Sequence, residues 1–292
     1  MEPRSNKIFK VIISFEIIIS VCLLILFYYL NSNNNELKNI IDNIENKISK
    51  FDEYEEIDKN LSFYQNIDLE LENKYNEYYD NISLLEKKIN DGKTDVKIAY
   101  LTFDDGPYDL TSQVLDKLKE NNIRATFFVL GKNGYDETYR RIVREGHTLG
   151  NHTYYHNIGK GLYNSADGFM DQVNKLENYL FDLTGYRTTL VRFPGGSDTA
   201  GELKEPIVNK LHEKGYNYVE WTCETGDGSS KKLSQKDTYS WFIDTLGNQK
   251  IMVLLMHDYN HSTFNDLQRI IDYLKNNNYI FLPLNNKSVM VN

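Results

Sequence analysis

Five short polar clusters in this 292-residue chain could act together, and each follows an apolar run. After AYLTF comes Asp104-Asp105-Gly106-Pro107, and after HTLGN come His152 and His156, four residues apart. Arg192 sits near the end of TLVRF and is followed by Pro194-Gly195-Gly196. Asp227 lies beyond YNYVEW, and IMVLLM runs straight into His257. Two histidines and a carboxylate make a three-ligand set that leaves a coordination position for water. Zinc suits such donors, with cobalt or manganese as alternatives. Neighbouring strand residues point in opposite directions, so Asp104 and Asp105 are expected to divide the work. One would bind metal while the other serves as base toward water. Arg192 is suited to hold a carboxylate base ionised and aimed. His257 is suited to protonate a leaving group, with Asp227 favouring its cationic form.

Taken singly, each signal is weak. An isolated H-x-x-x-H pair is more often two ordinary polar histidines than a metal site. Adjacent aspartates at a strand end are often a turn or a helix cap. Their weight comes from recurring at the ends of successive runs.

Those runs are the elements that must position the chemistry. From residue 97 onward, strand-like and helix-like stretches alternate: KIAYLTF, SQVLDKLKE, ATFFVL, ETYRRIVRE, HTLGN, then a long helix near MDQVNKLENYLFDL. TLVRF, IVNKLHEK, YNYVEW, TYSWFIDTL, IMVLLMH, FNDLQRIIDYL and YIFLPL continue the pattern. This rhythm implies parallel strands with crossover helices, as a barrel or an open sheet. In either architecture ligands gather at the carboxyl ends of the strands.

The rest of the chain divides by composition. Residues 1–10 carry Arg4, Lys7 and Lys10, and residues 11–30 form a twenty-residue apolar stretch with one charge, Glu16. That length spans a bilayer core, and a cationic flank without a small-residue cleavage site reads as an uncleaved signal anchor with the remainder exported. A cleaved signal peptide is the alternative. Residues 31–96 hold two short heptad runs, Leu37 to Phe51 and Leu71 to Ile89, which suggest a helical or coiled-coil stalk. Such a stalk could join copies of the chain, act as a spacer, or pack on the domain as an amphipathic helix. The net charge of -9 resolves into +1 for residues 1–30, -8 for the stalk and -2 for residues 97–292. The acidity therefore belongs to the stalk, and nothing favours nucleic-acid binding by bulk charge. Two cysteines, Cys22 and Cys223, are too few for a disulfide framework or a thiolate zinc module.

Thr102-Phe103-Asp104-Asp105-Gly106-Pro107, His152-Thr153-Tyr154-Tyr155-His156, Arg192-Phe193-Pro194-Gly195-Gly196 and Leu255-Met256-His257 together resemble the polysaccharide deacetylases of carbohydrate esterase family 4, the NodB-homology domain. The likeness covers roughly residues 97–285. It implies a distorted (β/α) barrel with fewer than eight complete units. It implies that Asp105, His152 and His156 hold the metal, that Asp104 is the general base, and that Arg192 tethers Asp104. The backbone N–H of Gly195, between Pro194 and Gly196, would help hold the oxyanion, and His257, oriented by Asp227, would protonate the departing amine.

The chain departs from that pattern in places. Phe193 and Gly195 stand where many members have Pro and Tyr, and Gly228 follows Asp227 where Trp is frequent. Trp221 is upstream and could be core. His147 is expected to bond locally, His212 to lie in a helix, His261 in a polar loop, and Cys223 to be a small strand-end residue near the site.

The expectation is a single-pass membrane enzyme with an extracellular catalytic domain that removes N-acetyl groups from peptidoglycan N-acetylglucosamine. Other glycans (N-acetylmuramic acid of spore cortex, exopolysaccharide, chitin oligomers), an O-acetyl esterase, and a non-catalytic wall-binding scaffold are the alternatives.

Overall fold

The computed structural model describes residues 80–228 and 235–288. The expected span at 11–30 and the stalk up to residue 79 lie outside the described residues. Among the described residues no helix is long and apolar enough to cross a membrane.

The elements alternate as expected. β1 (Lys97–Asp104) leads to α2 (Thr111–Glu120), β2 (Thr126–Val129), α3 (Asp136–Arg144), β3 (Thr148–Asn151) and α4 (Ala166–Thr184). β4 (Leu190–Val191), α5 (Lys204–Glu213), β5 (Asn217–Tyr218), β6 (Cys223–Glu224), α6 (Gln235–Leu246), β7 (Ile251–His257), α7 (His261–Asn276) and β8 (Tyr279–Phe281) complete the order. A helix over 80–90, α1, precedes them. Ser165 caps α4 by accepting from the Gly168 N–H, and Asn260 caps α7 by accepting from Ser262. His261 therefore opens a helix instead of lying in a loop.

Eight strands form one parallel sheet in the order β5-β4-β3-β2-β1-β7-β6, with β8 on β1. β8 shares the β2 side of β1, taking Lys97 to Ala99 while β2 takes Thr102 to Asp104. The expected barrel is thus a curled sheet: among the described residues no ladder joins its edges, β5 and β6. Residues 219–222 connect those edges, and so short a link spans at most about 18 Å. The connection forces the sheet to curl.

Strand alternation assigns the two faces. Ala99, Leu101 and Phe103 of β1, Phe127 and Val129 of β2, and Met252, Leu254 and Met256 of β7 pack in one core cluster with Leu115, Ile142, Leu180, Phe242 and Ile270 of the helices. Val191 of β4 packs in a second cluster with Phe169 and Val173 of α4 and Ile207 of α5. The opposite parity, Thr102, Asp104, Phe128, Arg192 and His257, faces inward. Both faces are buried, which is why the strands read as unbroken apolar runs. Cys223 packs in the outer, helix-facing cluster, and burial pushes its thiol up to about 11. It is core and not a neighbour of the site.

The compact unit already includes α1, ahead of the boundary expected at residue 97. Ile82, Glu86 and Ile89 of α1 are buried, and the Tyr100 hydroxyl donates to Glu86 Oε1 at 2.6 Å. Tyr100 belongs to the inward parity of β1, so this end of the expected stalk is part of the folded body.

His147, just ahead of β3, is buried and accepts from the Ala125 N–H through Nδ1 at 3.0 Å. Burial, with the charges of Arg124 and Arg141, pushes it down to about 3. Unfolded, the ring titrates near 6.5, so between these values the unfolded chain binds the extra proton and stability falls as pH falls. His147→Gln removes this linkage. The wild-type stability advantage over the variant should therefore shrink by about 2 kcal/mol between pH 8 and pH 5 in denaturant titrations. An advantage independent of pH would show that His147 is not held neutral.

Candidate active site

The sheet's carboxyl edge gathers the polar clusters into one place. Asp104 ends β1 opposite His257 of β7 and Phe128 of β2. Arg192, one residue beyond β4, is fully buried and spans the interior from there. Its Nη1 donates to Asp104 Oδ1 at 2.9 Å and to Thr102 Oγ1 at 2.6 Å. Nε donates to the Val219 carbonyl and Nη2 to the Glu220 carbonyl, both at 3.2 Å, and the guanidinium lies over the Phe128 ring. Burial raises the Asp104 pKa, and the Arg192 charge opposes that rise. Its second oxygen, Oδ2, stands 3.7 Å from His152 Nε2.

Asp105 leaves the strand with φ 72, a left-handed conformation uncommon for aspartate. Strand alternation therefore does not separate the two carboxylates; the backbone reversal does. Asp105 Oδ1 lies 3.5 Å from His152 Nε2 and 3.4 Å from His156 Nε2. His152 Nδ1 lies 2.8 Å from the Arg192 carbonyl, which can only accept, so Nδ1 carries the proton and Nε2 presents a lone pair. Burial pushes His152 down to about 3, against the pull of the Asp105 charge, and so keeps the ring neutral.

The four-residue spacing of the histidines is not helical. Thr153 and His156 both have positive φ, 64 and 50. The turn is held by Thr153 N–H on Asn151 Oδ1 and His156 N–H on Thr153 Oγ1, while Asn151 Nδ2 ties it to the Val173 carbonyl of α4.

This trio fits a divalent cation. Asp105 Oδ1 is buried without a hydrogen-bond partner, although two imidazole nitrogens stand close by. Two ligands about 2.1 Å from a tetrahedral ion sit about 3.4 Å apart, which matches the separations observed. Asp105, His152 and His156 are also the group whose donor atoms lie within 4.8 Å of one another.

On the other side, His257 Nδ1 meets Asp227 Oδ1 at 2.8 Å. Asp227 Oδ2 accepts from the His257 N–H and from Thr263 Oγ1, so this carboxylate is fully engaged. Burial alone would lower the His257 pKa. The hydrogen bond and charge of Asp227, with Asp104 and Asp105 behind it, raise it to about 9. Its Nε2 lies 3.8 Å from Asp105 Oδ2.

The expected glycine loop follows Arg192. Phe193 is buried in the second core cluster, the Pro194 carbonyl accepts from Tyr163, and Gly195 is exposed with φ 73. Gly196 (φ 84) lies against Trp221, whose ring would meet a Cβ there at 3.2 Å. Trp221 is therefore a half-buried wall beside this loop, not core. No contact in the structure ties the Gly195 N–H to the metal trio.

Two further charged residues stand beside the trio. Asp258 is buried behind the Asp105-Gly106 turn, accepts from Thr111 Oγ1 at 2.7 Å, and is pushed up to about 7 by burial. A Cβ on Gly106 would strike its carboxylate at 2.1 Å, so only glycine fits. Lys132, after β2, donates to the Asp105 carbonyl at 2.8 Å. Sequence reading passed over both, though the strand-end rule that found the other residues also points to the ends of β2 and β7.

A polysaccharide deacetylase family model matches residues 91–219. The putative polysaccharide deacetylase YheN of Bacillus subtilis is 33% identical over 215 residues, which cover 72% of this chain and 74% of that protein. A peptidoglycan-N-acetylglucosamine deacetylase of Bacillus cereus is 40% identical over 131 residues, 44% of this chain and 45% of its own length. Among solved structures, the catalytic domain of peptidoglycan N-acetylglucosamine deacetylase from Eubacterium rectale superposes with a TM-score of 0.63 at 32% identity, covering 66% of this chain and 91% of that one. With its sheet, its carboxylate pair and its paired histidines in these positions, the chain belongs to the polysaccharide deacetylase family.

Proposed function

We propose that this polysaccharide deacetylase is metal-dependent and hydrolyses N-acetyl groups on N-acetylglucosamine residues of peptidoglycan, releasing acetate and leaving glucosamine. The observation that carries the reading is the orphaned Asp105 oxygen between two imidazole nitrogens, flanked by a buried carboxylate and a cationic histidine. The choice of glycan rests on what the relatives are named for.

Asp105, His152 and His156 would hold the ion, zinc by default, with cobalt or manganese as alternatives. When bound, it supplies a water of lowered pKa and polarisation of the acetamide carbonyl. Asp104, whose ionised form Arg192 favours against the effect of burial, would take the proton from the attacking water through Oδ2. The Gly195 N–H would hold the developing oxyanion. His257, kept cationic by Asp227, would give its proton to the departing amine. Gly228 keeps the ring accessible, since a Cβ there would come within 2.7 Å of His257 Cε1. In this reading the apolar stretch at 11–30 tethers the enzyme, with its domain outside the cell facing the wall.

Full-length protein given zinc, cobalt or manganese should release acetate from cell-wall glycan, and mass analysis should place the loss on glucosamine. No acetate with any of the three metals overturns the reaction; loss from the muramic sugar overturns the choice of glycan. Asp104→Asn should lower kcat by about 10²–10⁴-fold while the thermal midpoint stays near wild type. Turnover within a few-fold of wild type would reject Asp104 as the base.

Asp227→Asn tests the acid. In metal-free protein, NMR titration of the His257 ring should fall from about 9 toward the ordinary 6.5. The raised value also means that this pair's contribution to metal-free stability is fully present below pH 6.5 and lost as pH rises through about 9. An unchanged ring titration would remove Asp227 as its cause.

A further inference from the structure

Lys132 is clamped at both its backbone and its side chain. Its N–H donates to the Tyr139 hydroxyl and its carbonyl accepts from the Tyr179 hydroxyl, each at 2.9 Å. The half-buried side chain carries its ammonium over the face of Tyr108, 3.0 Å from the ring centre, and on to the Asp105 carbonyl at 2.8 Å. Asp105 is the residue that must hold φ 72 while offering its carboxylate to His152 and His156. Left-handed backbone at a non-glycine residue is strained and persists only when its surroundings over-determine it.

The tethers of this turn supply that determination. The Asp105 N–H donates to the Phe128 carbonyl at 3.1 Å, which fixes the peptide group before the residue. The Asp105 carbonyl, on the peptide group after it, is held by Lys132. One step further, the Gly106 carbonyl accepts from the Leu130 N–H at 2.8 Å. With the peptide planes on either side fixed, the direction of the Asp105 Cα–Cβ bond follows. Lys132 is the side chain among these tethers; the others are backbone groups of β2 and the residue after it.

We propose that Lys132 is a positioning residue for the metal-ligating carboxylate, acting through the Asp105 carbonyl. The inference rests on the metal reading of the site and is independent of which glycan is the substrate. Replacement by methionine keeps the packing of the stem and removes the donor.

Zinc titration calorimetry on metal-stripped, full-length protein tests it. Lys132→Met should weaken zinc binding roughly 10- to 100-fold, as losing a partner of a ligand does at other metal sites. The metal-free thermal midpoint should stay near wild type, and the visible spectrum of the cobalt-loaded variant should shift as the carboxylate leaves its place. Zinc affinity within about twofold of wild type, with an unchanged cobalt spectrum, would overturn the inference. Should K132M not fold, Lys132→Gln, whose amide is too short to reach the same carbonyl, decides by the same two measurements. A wild type that takes up no zinc, cobalt or manganese would overturn the metal reading itself, which separates the two failures.

Discussion

A guanidinium with no exposure to solvent lies at the centre of this sheet, and the surrounding structure depends on satisfying it. Arg192 donates to one carboxylate, one hydroxyl and two backbone carbonyls, and its flat face covers Phe128. Removing one partner of a buried ion pair strands the other charge, at a cost of about 3–5 kcal/mol. The two carbonyls belong to Val219 and Glu220, in the short link between the unpaired sheet edges β5 and β6. Arg192 thus ties β4 and β1 to the segment where the strand ladder is interrupted. Its own carbonyl fixes the tautomer of His152. One residue therefore holds the proposed base, orients a proposed metal ligand and braces the curl of the sheet.

Around that centre, similar groups are driven to opposite protonation states. His152 and His257 are both well buried and near Asp105, yet one is pushed down to about 3 and the other raised to about 9. The difference lies in their Nδ1 partners. Burial leaves His152 neutral because a backbone carbonyl offers its Nδ1–H too little to offset it, whereas the Asp227 carboxylate stabilises a cation at His257. The two carboxylates of the Asp-Asp pair are divided similarly: Asp104 is matched to a guanidinium, and Asp105 keeps an oxygen for an ion. Such separation by environment is what the proposed division into ligand, base and acid requires of two residue types. A bound divalent ion would add positive charge beside His257 and lower its pKa from the metal-free value, toward the range where an acid can also release its proton readily.

Much of this was readable from residue type and parity. The apolar runs of β1 and β7 placed Asp104 and His257 at strand ends, and the TLVRF run placed Arg192 near the end of another. What sequence could not show depends on backbone reversals and on approaches between distant segments. Asp105 departs from alternation because its φ is positive, and His156 meets His152 through a non-helical turn. Trp221 read as possible core because its neighbour, the Gly196 loop, is 25 residues away in the chain. Strands β4, β5 and β6 have two residues each, too short for a periodic signal. The heptad ending at Ile89 looked like stalk because burial of Ile82 and Ile89 in the folded body and burial in a coiled coil require the same spacing.

The site's strain has a direction. Asp105, Thr153 and His156 are three of the five non-glycine residues with positive φ among the described residues, and all three lie on the two turns that carry the proposed metal ligands. Each would relax to ordinary backbone if its tethers were released, and each is tethered: to Phe128 and Lys132, to Asn151, and to Thr153. The donor atoms of Asp105, His152 and His156 stand at coordination spacing, held there by these tethers. An ion bound there would gain its interaction with a buried, otherwise unpartnered carboxylate oxygen, and tethered turns of this kind lower the ordering cost of binding. The free energy stored in the turns is supplied by the packed sheet beneath them. Preorganisation therefore links metal affinity to fold stability: an ion that binds only this arrangement stabilises the folded chain in proportion to the logarithm of its concentration over its Kd.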